Sequence, residues 1–122
     1  MPENIKNREF IDYLNDIIEV IDDIQNFTEN ISFKDLENDK KTLYAVIRCL
    51  EILGEAVKKI PKNVKERYPD IPWKDMAGMR DVLIHDYFGV DVETVWLTVN
   101  EKIPHIKPIV EKMLKELNDE KT

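Results

Sequence analysis

Glycine, cysteine and histidine are scarce in this chain, and each shortage excludes a class of structure or site. Only three glycines occur among 122 residues, and β-branched residues do not alternate with polar ones, which argues against a sheet protein. The single Cys49 has no partner for an internal disulfide, so we expect a reducing, cytoplasmic location. Two histidines and one cysteine, far apart, form no recognisable zinc set. We therefore predict no metal and no cofactor.

Long apolar runs and a surplus of positive charge are also absent. No stretch of about 18 apolar residues is present, so no membrane partner is expected, and no signal peptide precedes the first amphipathic segment. The net charge is −7, whereas a general nucleic-acid binder usually carries excess Lys and Arg for phosphate contacts. One basic run extends from Lys58 to Arg67. It is interpreted either as a solvated helix end or as a docking strip for RNA or an acidic partner.

Apolar residues recur at helical spacing along most of the chain. The predicted segments are a helix at 5–27, a short turn or broken helix at 28–38, a helix at 39–60 that ends at Pro61, a single turn at 62–70, a helix from Pro72 to near Gly89, a helix from Val92 to Pro104 and a last helix to Leu117. Candidate N-caps are Asn4 and Asp91. Pro108 must lie in the first turn of the last helix or bend it.

This pattern predicts an all-α protein. Apolar stripes joined by short connections indicate a bundle of four long helices plus short helical turns. The length of the chain fits one domain over residues 1–122, with frayed ends at 1–4 and 118–122.

The segment from Arg80 to Tyr87, RDVLIHDY, concentrates the most chemistry. Arg80 falls on the apolar stripe of its predicted helix, where an isolated charge would be very costly and needs a partner. His85 lies about 140° around the helix from Arg80 and about 200° from Tyr87, so the three side chains cannot converge on one straight helix. Either the helix ends or bends near His85, or a second copy of the chain completes the site.

Polar residues on a flank of the second long helix are candidate supporting groups. Glu51 or Glu55 is placed to pair with Arg80, or Arg48 joins the site as a second cation. The alternative is a pair between Arg48 and Glu51 within their own helix, at the wet surface. Asp86, inside RDVLIHDY, is a further supporting candidate.

RDVLIHDY resembles the Arg-x4-His-x-Tyr signature of the HepT-like toxins, a branch of the HEPN ribonuclease superfamily. Three more segments resemble that family, in the same order: AVIRCLEILGEAVKKIP from Ala45, RYPDIPW from Arg67 and YFGVDVETVW from Tyr87. The resemblance covers residues 8–117 and includes all three motif positions. It implies a HEPN-type fold and a homodimer in which two motif helices face one another across a cleft.

Without a metal set, cleavage of RNA has to rely on side chains and on the 2′-hydroxyl of the RNA itself. A neutral histidine can take the proton of that hydroxyl, and an arginine can neutralise charge on the phosphoryl oxygens. The resemblance implies this reaction for His85 and Arg80: metal-independent endonucleolytic cleavage that leaves a 2′,3′-cyclic phosphate. His105, beside Pro104 at a predicted helix start, is predicted to have no catalytic role.

The resemblance gives Tyr87 a regulatory role. In HepT-like toxins a partner antitoxin, a small nucleotidyltransferase, attaches AMP to the matching tyrosine. A bulky anion two residues from His85 would block the cleft and offer Arg80 a competing phosphate. The alternative, from the residues alone, is a packing tyrosine with a hydrogen-bonded hydroxyl.

Three functions stay open at this level. The first is the toxin ribonuclease of a toxin–antitoxin pair. The second is a non-catalytic HEPN module that binds and regulates a partner nucleotidyltransferase, and the third is a purely structural helical dimer. The motif favours the first over the third, while the net charge of −7 argues against the first and supports the second.

Overall fold

The computed structural model describes residues 2–78 and 91–120 of the chain, with side chains from residue 10 onward. Within these ranges the protein consists of helices and short connections, and no β-strand is found there. The all-α prediction is confirmed.

Two long helices, each with a stripe of apolar residues, form the centre of the bundle. Helix α1 spans Pro2–Thr28 and helix α3 spans Lys40–Lys59, and the two pack along each other. Asn4 lies inside α1 and does not cap it, because the helix already begins at Pro2, where a missing N–H removes no hydrogen bond. Their fully buried contributions to the core are Leu14, Ile17, Ile21, Ile24, Val46, Leu53 and Val57.

A short helix, α2, spans Phe33–Asn38 and joins the two. It begins with a reciprocal capping box: the Asp35 N–H donates to Ser32 Oγ at 3.1 Å, and the Ser32 N–H donates to Asp35 Oδ2 at 2.9 Å. Asp39 then caps α3, accepting the Thr42 N–H at 3.2 Å and the Thr42 hydroxyl at 2.7 Å. These two bonds lower the pKa of Asp39 below its ordinary range, the hydroxyl contributing most.

After Pro61, helix α4 spans Lys62–Arg67, which confirms the predicted single turn. The next helix, α5, begins at residue 73 and is described to residue 78. Pro72 was predicted to be its first helical residue. Instead Pro72 stands one position earlier, as the cap whose carbonyl accepts the Met76 N–H at 3.0 Å.

The C-terminal part of the chain is one continuous helical run. Helix α6 spans Val92–Leu97, and Asp91 caps it by accepting the Thr94 N–H at 3.3 Å, as predicted. A π-helical turn, Thr98–Lys102, leads directly into α7, Ile103–Glu120. The predicted end of a helix at Pro104 is therefore wrong.

The π turn explains how the helix passes Pro104. A proline inside a helix donates no hydrogen bond, and its ring clashes with the carbonyl four residues earlier. In the π turn the Ile103 N–H reaches back five residues to the Thr98 carbonyl, and this wider turn makes room for the ring. Pro108 lies inside α7, beyond its first turn, so the first of the two predicted alternatives for this proline is wrong.

Helix α7 closes the bundle against α1. Its core residues are Ile103, Ile106, Val110, Met113 and Leu117. At its edge the Lys107 ammonium contacts Asp22 Oδ1 at 2.9 Å and Gln25 Oε1 at 3.1 Å, which fixes the two helices side by side. Among the described helices, none combines the length and apolarity needed to cross a bilayer.

Candidate functional site

The predicted site residues fall into two groups in the structure. Arg80, His85, Asp86 and Tyr87 lie outside the described residues. The described part includes the two segments that flank this motif in the chain, α5 before it and the capped start of α6 after it, as well as the flank of α3. These segments are the described framework on either side of the motif in the chain.

The framework before the motif is anchored by Trp73 and Met76. The Trp73 indole N–H donates to two backbone carbonyls at the end of α4 and just after it, that of Lys65 at 3.2 Å and that of Tyr68 at 3.0 Å. Met76, one turn later, is fully buried in the core. A hydrogen-bonded ring and a buried side chain on the same face fix both the position and the rotation of this helical turn.

Sequence reasoning gave Trp73 no separate role and missed its hydrogen bonds. The signal that could have found them is chemical. A tryptophan that packs against a core still carries an N–H, and a buried N–H usually finds an acceptor. The acceptors come from a connection that folds back on α5, which no periodicity in the sequence reveals.

The framework after the motif is fixed by a cap and an aromatic contact. The Thr94 hydroxyl donates to Asp91 Oδ2 at 2.8 Å, and the bonds from Thr94 lower the pKa of the Asp91 carboxyl. Trp96 meets Phe33 of α2 edge to face, with ring centroids 6.2 Å apart. Val95, which lies between Thr94 and Trp96 in the chain, is fully buried. The chain therefore returns from the motif at a defined point of the bundle.

The flank of α3 shows the intrahelical alternative. The Arg48 guanidinium contacts Glu51 Oε2 at 3.1 Å, with the two side chains 63% and 26% exposed. This confirms the pair predicted at the wet surface, and such an exposed pair adds little to stability. The pairing of Glu51 or Glu55 with Arg80 involves a residue outside the described ranges and stays a prediction.

The basic run from Lys58 to Arg67 is partly neutralised by α7. Arg67 forms an ion pair with Glu120 and lies with its guanidinium carbon 5.9 Å from the Tyr68 ring centroid. The bond to Glu120 raises the pKa of Arg67 further above its usual range. Because the Arg67 cation is paired with an acid of the same chain, we favour the interpretation of this basic run as a solvated helix end over a continuous docking strip for RNA.

The remaining reactive groups of the described part are poor candidates for catalysis. His105 is exposed and borders a shallow groove between α5 and α7 whose other walls include Asp70, Asp75 and Lys102. Cys49 is buried, and that burial raises the pKa of its thiol, which disfavours the thiolate a nucleophile needs. In the described ranges, no cluster of three or more His, Cys, Asp or Glu could hold a metal.

Comparison with known proteins gives a consistent result. Residues 17–113 match the family model described as "Ribonuclease HepT-like". The chain is 56% identical over 105 residues to a protein of Methanocaldococcus jannaschii named as a candidate RNase, covering 86% of this chain and 87% of the relative. It is 57% identical over 104 residues to a Thermococcus cleftensis protein named "Probable ribonuclease HepT", covering 85% and 94%. No solved structure matches significantly. The family match supports ribonuclease activity.

Proposed function

Because this chain belongs to the HepT-like ribonuclease family, we propose that it is the toxin of a toxin–antitoxin pair and cleaves RNA without a metal. One observation carries the proposal. The family match over 17–113 includes the segment RDVLIHDY, in which every position of the Arg-x4-His-x-Tyr signature is present. The protein acts in the cytoplasm as a single HepT-like domain.

In the proposed reaction His85 takes the proton of the ribose 2′-hydroxyl, and the 2′ oxygen attacks the adjacent phosphorus. Arg80 holds the phosphoryl oxygens as negative charge grows on them. The bond from phosphorus to the 5′ oxygen breaks, and that oxygen takes up a proton from an imidazolium. The products are a 2′,3′-cyclic phosphate and a 5′-hydroxyl end. A histidine with a pKa near 6.5 suits both proton removal and proton return.

A homodimer belongs to this proposal. On a regular helix Arg80 and His85 point about 140° apart, so one copy has difficulty aiming both at one phosphate. Two motif helices that face each other across a cleft remove this difficulty, since the arginine and histidine that act together need not come from the same copy.

Tyr87 is the proposed control point. Its phenolic oxygen attacks the α-phosphorus of ATP on a partner nucleotidyltransferase, the bond between the α- and β-phosphates breaks, and pyrophosphate leaves as the phenolic proton is lost. The AMP group carries a bulky negative charge two residues from His85. It would exclude RNA and pair with Arg80.

A second function is favoured by the charge of the chain. With a net charge of −7 and Arg67 already paired to Glu120, the surface offers RNA little general attraction. A non-catalytic module that only binds and regulates the nucleotidyltransferase would need no such attraction.

The test is expression of the chain alone and beside the nucleotidyltransferase, with total RNA examined in each case. We expect RNA fragments ending in cyclic phosphate from the chain alone, and intact RNA when the partner and ATP are present. Cleavage by the purified protein should survive EDTA. His85→Ala should abolish it, and His105→Ala, at the exposed second histidine, is the matched control that should leave it intact. Cleavage that requires magnesium, or that survives His85→Ala, would contradict the mechanism.

A further inference from the structure

The first turn of α5 is tied to the bundle by a specific set of polar contacts. The Trp73 indole N–H is shared between the carbonyls of Lys65 and Tyr68, at 3.2 and 3.0 Å. These carbonyls lie at the C-terminal end of α4, and each already accepts one backbone N–H: Lys65 O accepts that of Tyr68 at 3.1 Å, and Tyr68 O accepts that of Ile71 at 3.2 Å. Because a carbonyl oxygen has two lone pairs, the indole adds a second donor to each of them and ties α5 to the end of α4.

The end of α4 is itself held by α7. The Tyr68 hydroxyl donates to Glu116 Oε2 at 3.0 Å, and Arg67 pairs with Glu120 one turn further along α7. The chain of contacts thus runs from the C-terminal half of α7 through Arg67 and Tyr68 to Trp73. Trp73 packs against the core with its ring while its N–H closes this chain.

The rotation of α5 matters because the catalytic motif comes directly after it in the sequence. Trp73 and Met76 fix this rotation, and Arg80 comes seven residues after Trp73, which is two helical turns on the same face. A rotation at Trp73 would therefore be carried to Arg80 wherever the predicted helix continues. Misplacement of a catalytic group by about 1 Å can reduce the rate about a hundredfold.

We infer that Trp73 is a positioning residue for the catalytic motif, acting through the two hydrogen bonds of its indole N–H. This inference rests on the proposed ribonuclease function. It assigns Trp73 no contact with RNA. Its role is to hold α5, the helix that precedes Arg80 in the chain, in the rotation that cleavage requires.

The test compares Trp73→Phe with Trp96→Phe. Both changes replace an indole by a smaller ring, but Trp96 meets Phe33 through its ring, and no hydrogen bond of its indole N–H is seen in the described part of the chain. The measurements are kcat and KM on an RNA substrate and deuterium uptake by the peptide covering residues 79–90. For Trp73→Phe we expect kcat to fall at least tenfold with KM within twofold, and faster uptake in that peptide. Trp96→Phe keeps an aromatic ring against Phe33, so the framework after the motif should persist and all three quantities should stay within twofold of those of the native protein.

Two outcomes overturn the inference. One is a Trp73→Phe protein that matches Trp96→Phe in both kcat and deuterium uptake. The other is a change in KM alone, which would place Trp73 in RNA binding. If the native protein cleaves no RNA, the proposed function fails independently of this inference. Deuterium uptake then tests the role of Trp73 by itself. Faster uptake in Trp73→Phe than in Trp96→Phe supports the positioning role, and equal uptake refutes it.

A second variant covers the case in which Trp73→Phe does not fold. Tyr68→Phe removes the hydroxyl that donates to Glu116 while leaving the Tyr68 carbonyl and the indole in place. We expect a smaller effect in the same direction, a fall in kcat of about threefold with KM unchanged and faster uptake in 79–90. An unchanged kcat together with unchanged uptake would refute the chain of contacts.

Discussion

Replacing Met76 by alanine is the most direct test of how α5 is packed. Met76 is 0% exposed and belongs to the main hydrophobic core, on the first turns of the helix that leads into RDVLIHDY. The substitution removes three heavy atoms from a closed environment. At about 0.8 kcal/mol per buried methylene-sized group the transfer loss is about 2.4 kcal/mol, and incomplete collapse of the cavity brings the total to about 3 kcal/mol.

Urea unfolding followed by circular dichroism measures this loss. With a urea dependence of about 1.5 kcal/mol per molar for a chain of this size, the midpoint should fall by about 2 M. Lys74→Ala is the matched control, because Lys74 is exposed on the same helical turn and should change stability by less than about 0.5 kcal/mol. Protein concentration must be held equal, since the proposed dimer would couple stability to concentration. A loss below about 1 kcal/mol for Met76→Ala would show that α5 does not pack into the core.

The remaining predictions concern control and acid stability. Tyr87→Phe keeps the ring and lacks the phenolic oxygen, so incubation with the nucleotidyltransferase and ATP should add no mass to this variant. The native protein should gain the mass of whole adenylyl groups, measured by intact-mass spectrometry. A Tyr87→Phe protein that is still modified and silenced would show that Tyr87 is not the modified residue. Hydrogen bonds from Thr42 lower the pKa of Asp39 in the folded protein below its ordinary value of 3.8. The ionised cap therefore stabilises the fold above pH 3.8, and this stabilisation is lost as the pH falls through the lower pKa of the folded state. Asp39→Asn keeps an acceptor oxygen but does not titrate, and its thermal stability should therefore fall less than that of the native protein between pH 5 and pH 2; parallel curves would disprove the linkage.

Most of the fold could be predicted because its helices depend on local sequence patterns. The stripes of α1 and α3, the Asp91 cap and the single turn after Pro61 each depend on residues within a turn or two of one another. Pro104 shows where such rules fail. A proline normally ends a helix, but Ile103 and Ile106 on either side of it are both buried against the bundle, and that packing keeps the run helical through a π turn.

The predictions for the site rest on a different argument. Helical spacing predicted that the side chains of Arg80, His85 and Tyr87 diverge on a straight helix, and only the resemblance to HepT-like toxins implied roles for them. Spacing also left two partners open for Glu51, and the structure shows its contact with Arg48. A hydrogen bond from the Trp73 N–H could have been expected, but its acceptors could not, because they are carbonyls of Lys65 and Tyr68 across a turn whose path no local rule determines.

The π turn at Thr98–Lys102 should respond differently to substitution of a residue and to deletion of a residue. Its outer residues Asn100, Glu101 and Lys102 are exposed, so many side chains should be accepted there. Deletion of one residue is a different matter. It would let the turn close into ordinary α geometry, in which the ring of Pro104 clashes with the carbonyl four residues earlier. Deletion of Asn100, Glu101 or Lys102 should therefore destabilise the protein although substitutions at the same positions are silent, so this exposed part of the turn constrains the length of the chain and not the identity of its side chains.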